Sequence, residues 1–111
     1  MTDAPAACPV ATTTRLIGGR WKPRLIWALF REEPRRFSDL RRACPPISDR
    51  ILSKELRELE AAGLITRREH PGRAAHTDYC LTQEGRTLEP IMAAMASWGL
   101  TRSEAGSSNP T

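Results

Sequence analysis

Apolar residues recur along this chain in two rhythms, and the change between them marks its plan. In the first part the spacing is helical. Val10, Thr13, Thr14 and Ile17 fall at i, i+3, i+4 and i+7, with Cys8-Pro9 as a helix start and Gly18-Gly19 as its end. Trp21, Leu25, Ile26, Leu29 and Phe30 form a wide stripe over residues 21–31, with Pro23 in the first turn and Pro34 as the stop. Ser38 is the expected N-cap of a short helix running to about residue 44, with Leu40 and Ala43 inward. Cys44-Pro45-Pro46 breaks the chain, Ser48 caps a helix through Ala62, and Gly63 closes it.

Beyond Gly63 the rhythm shortens. Residues 64–70 and 76–81 read as two strands joined by the turn Pro71-Gly72-Arg73-Ala74-Ala75, with Thr77, Tyr79 and Leu81 in alternation. Thr82 then caps a last helix over residues 83–100, whose apolar face is Leu88, Ile91, Met92, Met95 and Trp98. Pro90 lies inside that span and is expected to kink it or divide it in two. The expected organisation is a lead-in over residues 1–7, one domain over 8–101, and a disordered tail over 102–111. The fold class is mostly α with a small β-hairpin. Central helices followed by a two-stranded wing make the winged helix-turn-helix plan, whose second helix-turn-helix member, residues 48–62, is the one that reads DNA.

That helix carries the main candidate chemistry. At 100° per residue, Leu52, Leu56 and Leu59 centre on one direction, and Arg50, Lys54 and Arg57 centre about 160° away. Arg50 and Lys54 sit in the N-terminal half, beside Ser48 and Ser53. A guanidinium can grip guanine O6 and N7 with both arms, a lysine more often meets phosphate, and a serine can donate or accept. Glu55, Glu58 and Glu60 crowd the C-terminal half, where the spacings Lys54–Glu58 and Arg57–Glu60 also permit internal pairing. Arg35, Arg36, Arg41 and Arg42 around the preceding helix are candidates for phosphate contacts, which position without specifying sequence. Arg73, at the wing tip, can enter a minor groove.

Charge and composition sharpen this picture. The net charge is +4, but residues 15–73 hold fifteen Lys or Arg against eight Asp or Glu, while residues 74–111 hold two against four. The basic part suits a polyanionic partner, although charge alone equally fits a solvated surface. No apolar run is long enough to cross a bilayer, and the first residues lack the pattern of a secretory signal, so the expected location is the cytoplasm with no membrane partner. The three cysteines, Cys8, Cys44 and Cys80, are widely spaced, and the histidines are His70 and His76. No four-ligand zinc pattern emerges, and no metal or cofactor is expected. No nucleophile–base pairing points to an enzyme.

Taken in order, several segments resemble the HxlR-type regulators, close to the MarR-like winged-helix proteins. They are Cys8-Pro9-Val10, Ile17-Gly18-Gly19-Arg20-Trp21-Lys22, residues 34–40, Ile47-Ser48, residues 56–65 and residues 79–85. The resemblance covers roughly residues 8–99. It implies a homodimer held by the first and last helices, a palindromic operator and control of nearby genes, often for detoxification or redox enzymes. Some relatives sense oxidants, quinones or aldehydes through an N-terminal cysteine, and Cys8 occupies that position. The chain departs from the family in the wing, where Ala74-Ala75 stand in place of a proline-richer turn.

Two further expectations join the resemblance to physical chemistry. The last helix carries more apolar surface than a small core needs, so Val10, Ile17, Leu88, Ile91, Met92, Met95 and Trp98 are expected at a dimer seam. Cys8, next to Pro9, sits where a helix dipole favours a thiolate, so a reactive electrophile or oxidant is the expected small-molecule partner, with Cys44 as a disulfide partner across the dimer. Two other readings stay open: a regulator answering to a small apolar ligand near Trp21, Trp27 or Trp98, and a winged-helix interaction module that does not bind DNA.

Overall fold

The computed structural model describes residues 8–105; the expected lead-in over residues 1–7 and the end of the expected tail lie outside them. The elements run α1 (Pro9–Ile17), α2 (Lys22–Arg31), β1 (Arg35–Arg36), α3 (Phe37–Ala43), α4 (Asp49–Ala61), β2 (Ile65–His70), β3 (His76–Leu81), α5 (Gln83–Arg86) and α6 (Glu89–Ala105). This is the expected mostly α architecture with a hairpin wing. No described helix is long and apolar enough to cross a membrane.

Local signals set most boundaries. Pro9 stands in the first turn of α1 and Pro23 in that of α2, where a missing N–H leaves no bond unmade. The Ser48 hydroxyl accepts the Ile51 N–H at 3.1 Å and starts α4. At the other end Gly63 turns left-handed (φ +79°), so its N–H reaches Glu60 O and the Leu64 N–H reaches Leu59 O. That pair of bonds satisfies carbonyls the helix would otherwise leave bare. Thr82 Oγ1 accepts the Gly85 N–H at 2.9 Å. Gly85 is required there, because a Cβ would collide with the Leu64 carbonyl.

Two expectations about boundaries are corrected, and one is met. Ser38 is not the cap of α3: the helix starts at Phe37, and the Asp39 carboxylate accepts the Arg36 N–H at 3.0 Å. The carboxylate reaches back to the first exposed donor, which leaves Ser38 inside the first turn. The last helix is divided, as Pro90 allows, with the break at Thr87–Leu88 and Pro90 in the first turn of α6. It also runs further than expected, through Ala105, and Thr101 Oγ1 donates to Ser97 O within it.

The wing is a three-stranded antiparallel sheet in the order β1-β3-β2. β2 and β3 pair from Ile65↔Leu81 to His70↔His76. β1 adds Arg35↔Tyr79 and Arg36↔Asp78 on the other edge, and just beyond it the Glu33 carboxylate accepts the Leu81 N–H at 2.7 Å. A two-residue strand has no period to read, and sequence patterning missed it.

α2 runs through the centre. Its Leu25, Ile26 and Leu29 are fully buried against Leu40 and Cys44 of the α3 region, Leu52, Leu56 and Leu59 of α4, and Ile65, Tyr79 and Leu81 of the sheet. Ile17 and Met92 complete this core, and Leu88 packs on it. Ile17 and Met92 of the expected seam list thus lie in the domain's own interior, while Leu88 is half-buried at its edge. Burying a leucine of this kind stabilises by about 1.5–3 kcal/mol, which is what fixes α4 at a defined angle to the sheet.

Candidate nucleic-acid interface

With Leu52, Leu56 and Leu59 inward, the polar edge of α4 faces outward. Arg50 and Arg57 are exposed and, among the described residues, form no ion pair, while Ser53 is half-buried between them. The three stand at i, i+3 and i+7, one face of the helix. Ser53 and Arg57 also border a cleft shared with Phe37, Arg67 and Tyr79, so this row runs from the start of α4 toward the wing. Ser48 opens the row; its lone pair serves the cap, and its O–H remains a donor.

Lys54 differs from its two arginine neighbours. Its ammonium lies 3.0 Å from Glu58 and 3.8 Å from Glu55. Lys22 of α2 reaches the same two carboxylates at 2.5 and 2.6 Å. Two acids and two bases thus cancel, and the cluster staples the start of α2 to α4. Burial opposes the charge on Lys22, yet its hydrogen bonds to Glu55 and Glu58 outweigh this and hold the ammonium above the ordinary lysine range. Hydrogen bonds from Lys22 and Lys54 hold the Glu58 carboxyl below the usual carboxylate range.

The surrounding arginines separate in the same way. Arg35 is largely buried, with Nε donating to Glu32 O at 2.9 Å, and is withdrawn as a phosphate contact. Arg41 is tied to Asp49 at 2.8 Å and Arg42 to Asp39 at 2.5 Å, so each brings a neutralising partner. Arg36 and Arg73 are exposed and without an ion pair among the described residues. Arg67, in β2, was missed; it borders the cleft beside Arg57 and pairs with Glu69 at 2.6 Å. Only strand register could have placed it there.

Cys8 is exposed at the N-cap of α1 with no side-chain capping bond. Cys44 is fully buried at the end of α3. Burial pushes its thiol up, against a smaller opposing pull from Arg24 and Arg35. Cys80 is partly exposed on the opposite sheet face from Tyr79 and Leu81. An apolar groove runs between α1 and α6, lined by Val10, Thr13, Pro23, Ile91 and Met95 over a floor of Ile17. Val10 is 67% exposed and Trp98 66% exposed, with Leu100, Met95 and Ile91 also in the open.

A helix-turn-helix with a leucine-anchored second helix, an outward arginine row and a flanking wing defines a DNA-binding transcriptional regulator. Residues 16–106 match the HxlR-like helix-turn-helix family, and the chain belongs to it. It is similar to an uncharacterized HTH-type transcriptional regulator of Bacillus subtilis, YybR, at 44% identity over 83% of this chain and 73% of the relative. Its structure is similar to that of the redox regulator HypR in its reduced form, with a TM-score of 0.82 and 40% identity over 91% of this chain and 99% of that one. It is also similar to the reduced form of YodB from B. subtilis, with a TM-score of 0.72 and 30% identity over 83% and 90% of the two chains.

Proposed function

We propose that this chain is a sequence-specific repressor that binds a palindromic operator as a homodimer, with DNA affinity set by the oxidation state or alkylation of Cys8. The observation that carries the DNA reading is the row of Arg50, Ser53 and Arg57, two guanidiniums without an ion pair among the described residues on an edge held outward by three buried leucines. Arg50 and Ser53 read base edges in the major groove, Arg57 and Arg36 grip phosphates, and Arg73 reaches the minor groove.

The dimer reading is supported by the apolar residues that α1 and α6 leave exposed, with Val10, Ile91, Met95 and Trp98 as its contacts. Two copies joined along these helices present two α4 edges to successive grooves. The groove between α1 and α6 also favours a second reading, a small apolar inducer lodged there.

The similar redox regulator HypR, seen in reduced and oxidized forms, and the transcriptional regulator YodB, seen reduced and diamide-treated, support a thiol switch. Cys8 is the exposed thiol at the start of a helix the dimer is built on. An adduct or disulfide there alters the spacing of the two reading helices. Cys44 is the candidate partner, and because it is buried, bonding to it requires the α3–α4 turn to open.

The test is a gel shift on the DNA upstream of the chain's own gene, with and without diamide. Salt-sensitive binding that diamide abolishes in the parent protein and not in Cys8→Ser is the expected result. An unchanged diamide response in Cys8→Ser removes the sensor, and binding indifferent to salt removes the phosphate contacts. A non-reducing gel separates an inter-subunit Cys8–Cys44 bond, which runs as a dimer, from a simple adduct.

A further inference from the structure

The outer face of the wing gathers three side chains that the DNA reading does not use. His70 and His76 are direct cross-strand partners, and their rings stack with centroids 4.6 Å apart. Both present Nε2 toward Asp78 Oδ2, at 2.9 Å from His70 and 3.8 Å from His76. We propose that His70, His76 and Asp78 bind a divalent transition-metal ion near the tip of the wing, beside its turn.

Four observations support this. The three donor atoms lie within 4.8 Å of one another. An ion about 2.0–2.2 Å from each of three such ligands sets them about 3.2–3.6 Å apart, a range that the two separations to Asp78 bracket, so binding draws the two imidazoles toward the shared carboxylate oxygen. Asp78 is 6% exposed, and its Oδ1 and His70 Nε2 are sealed from solvent; their polar neighbours are each other's side chains and Arg68, and neither atom makes a well-aligned hydrogen bond. Buried polar atoms so poorly served are costly unless something satisfies them better. Finally, His76 Nδ1 lies 2.9 Å from the Ala74 carbonyl, which accepts the Nδ1–H and so favours the tautomer that leaves a lone pair on Nε2.

The donor set names the class of ion. Two imidazoles and one carboxylate suit zinc, cobalt, nickel or copper(II), and not calcium or magnesium, with water completing the shell. The nearest competing charge is Arg68, whose Nε lies 3.5 Å from Asp78 Oδ1. It sits on the oxygen away from the histidines and leaves Oδ2 to the ion. An ion joining residues 70 and 76 closes the turn that carries Arg73. That consequence rests on the DNA reading; the binding does not, and the experiment reads binding alone.

The test uses the untagged chain carrying Cys8→Ser, stripped of metal and titrated with cobalt(II) by visible absorbance and with zinc(II) by calorimetry. One ion per protomer is expected, with an absorbance of nitrogen and oxygen ligands and no thiolate charge-transfer band. The chain has two histidines, so zinc should shift both imidazole signals in a nitrogen-edited spectrum. His70→Gln and Asp78→Asn should each weaken binding at least about tenfold with circular dichroism unchanged. If Asp78→Asn unfolds, His70→Gln and the imidazole shifts decide the matter. No binding, unmoved imidazoles, undiminished affinity in His70→Gln, or a thiolate band from Cys80 overturns the proposal.

Discussion

Replacing Arg50 with alanine removes an exposed guanidinium from the edge of α4 and takes nothing from its packing. The side chain forms no ion pair among the described residues, so folding stability should stay within about 0.5 kcal/mol. An arginine that reads a base contributes about 1–3 kcal/mol. Two copies on a palindrome double that to about 2–6 kcal/mol, a loss of roughly 30-fold to 10⁴-fold in affinity. Lys54→Ala is the internal control. Its ammonium already faces Glu58 at 3.0 Å, so a phosphate gains only what that carboxylate gives up. Exposed pairs of this kind are worth about 0–1 kcal/mol, and the loss should be that small per protomer. Fluorescence anisotropy on a labelled operator, in a series of salt concentrations, measures both variants. If Lys54→Ala costs as much as Arg50→Ala, the division drawn from the ion pairs is wrong. If Arg50→Ala weakens all sequences alike and lowers the salt slope by about 1.8, the value for two lost phosphate contacts, Arg50 grips the backbone and not a base.

Three other outcomes are expected. Trp98→Glu places a charge on the exposed face of α6 and should yield a monomer by sedimentation with its circular dichroism retained; a dimer unchanged by it argues for a different seam. Maleimide labelling at neutral pH, followed by mass spectrometry, should mark Cys8 well before Cys44, whose thiol burial raises and hides; equal rates would show that the α3–α4 turn opens freely. The charge staple should show in the acid limb of stability. Because Lys22 and Lys54 depress the Glu58 carboxyl in the folded state, its contribution is present above the ordinary carboxylate range and is lost as pH falls through the lowered value. Urea unfolding of the parent should therefore weaken more steeply with acid than that of Lys22→Met, and parallel curves would assign the cluster no role.

Much of the fold is legible in the residue order because its signals are local. A serine four residues before a leucine stripe, a glycine just past its end, and a Pro-Gly turn between alternating strands each act within a few residues. The Ser48 cap, the Gly63 termination and the β2–β3 hairpin stand where those signals put them. The same locality allowed a helix to be read with its apolar and basic sides opposed, and so pointed to Arg50 and Arg57.

What the order of residues could not decide is which charges and which apolar groups find partners across the fold. The spacing allowed Lys54 to meet Glu58 on its own helix, but only the docking of α2 could bring Lys22 to the same two glutamates. Ile17 and Met92 shared helical faces with exposed neighbours, and only packing against the rest of the core sent them inward. β1 exists because β3 offers an edge to two arginines. His70, His76 and Asp78 became neighbours through strand register alone. Helix caps and turns are settled by bonds between residues close in sequence, whereas ion pairs, core membership and cross-strand clusters depend on distances that arise only once separate elements have packed.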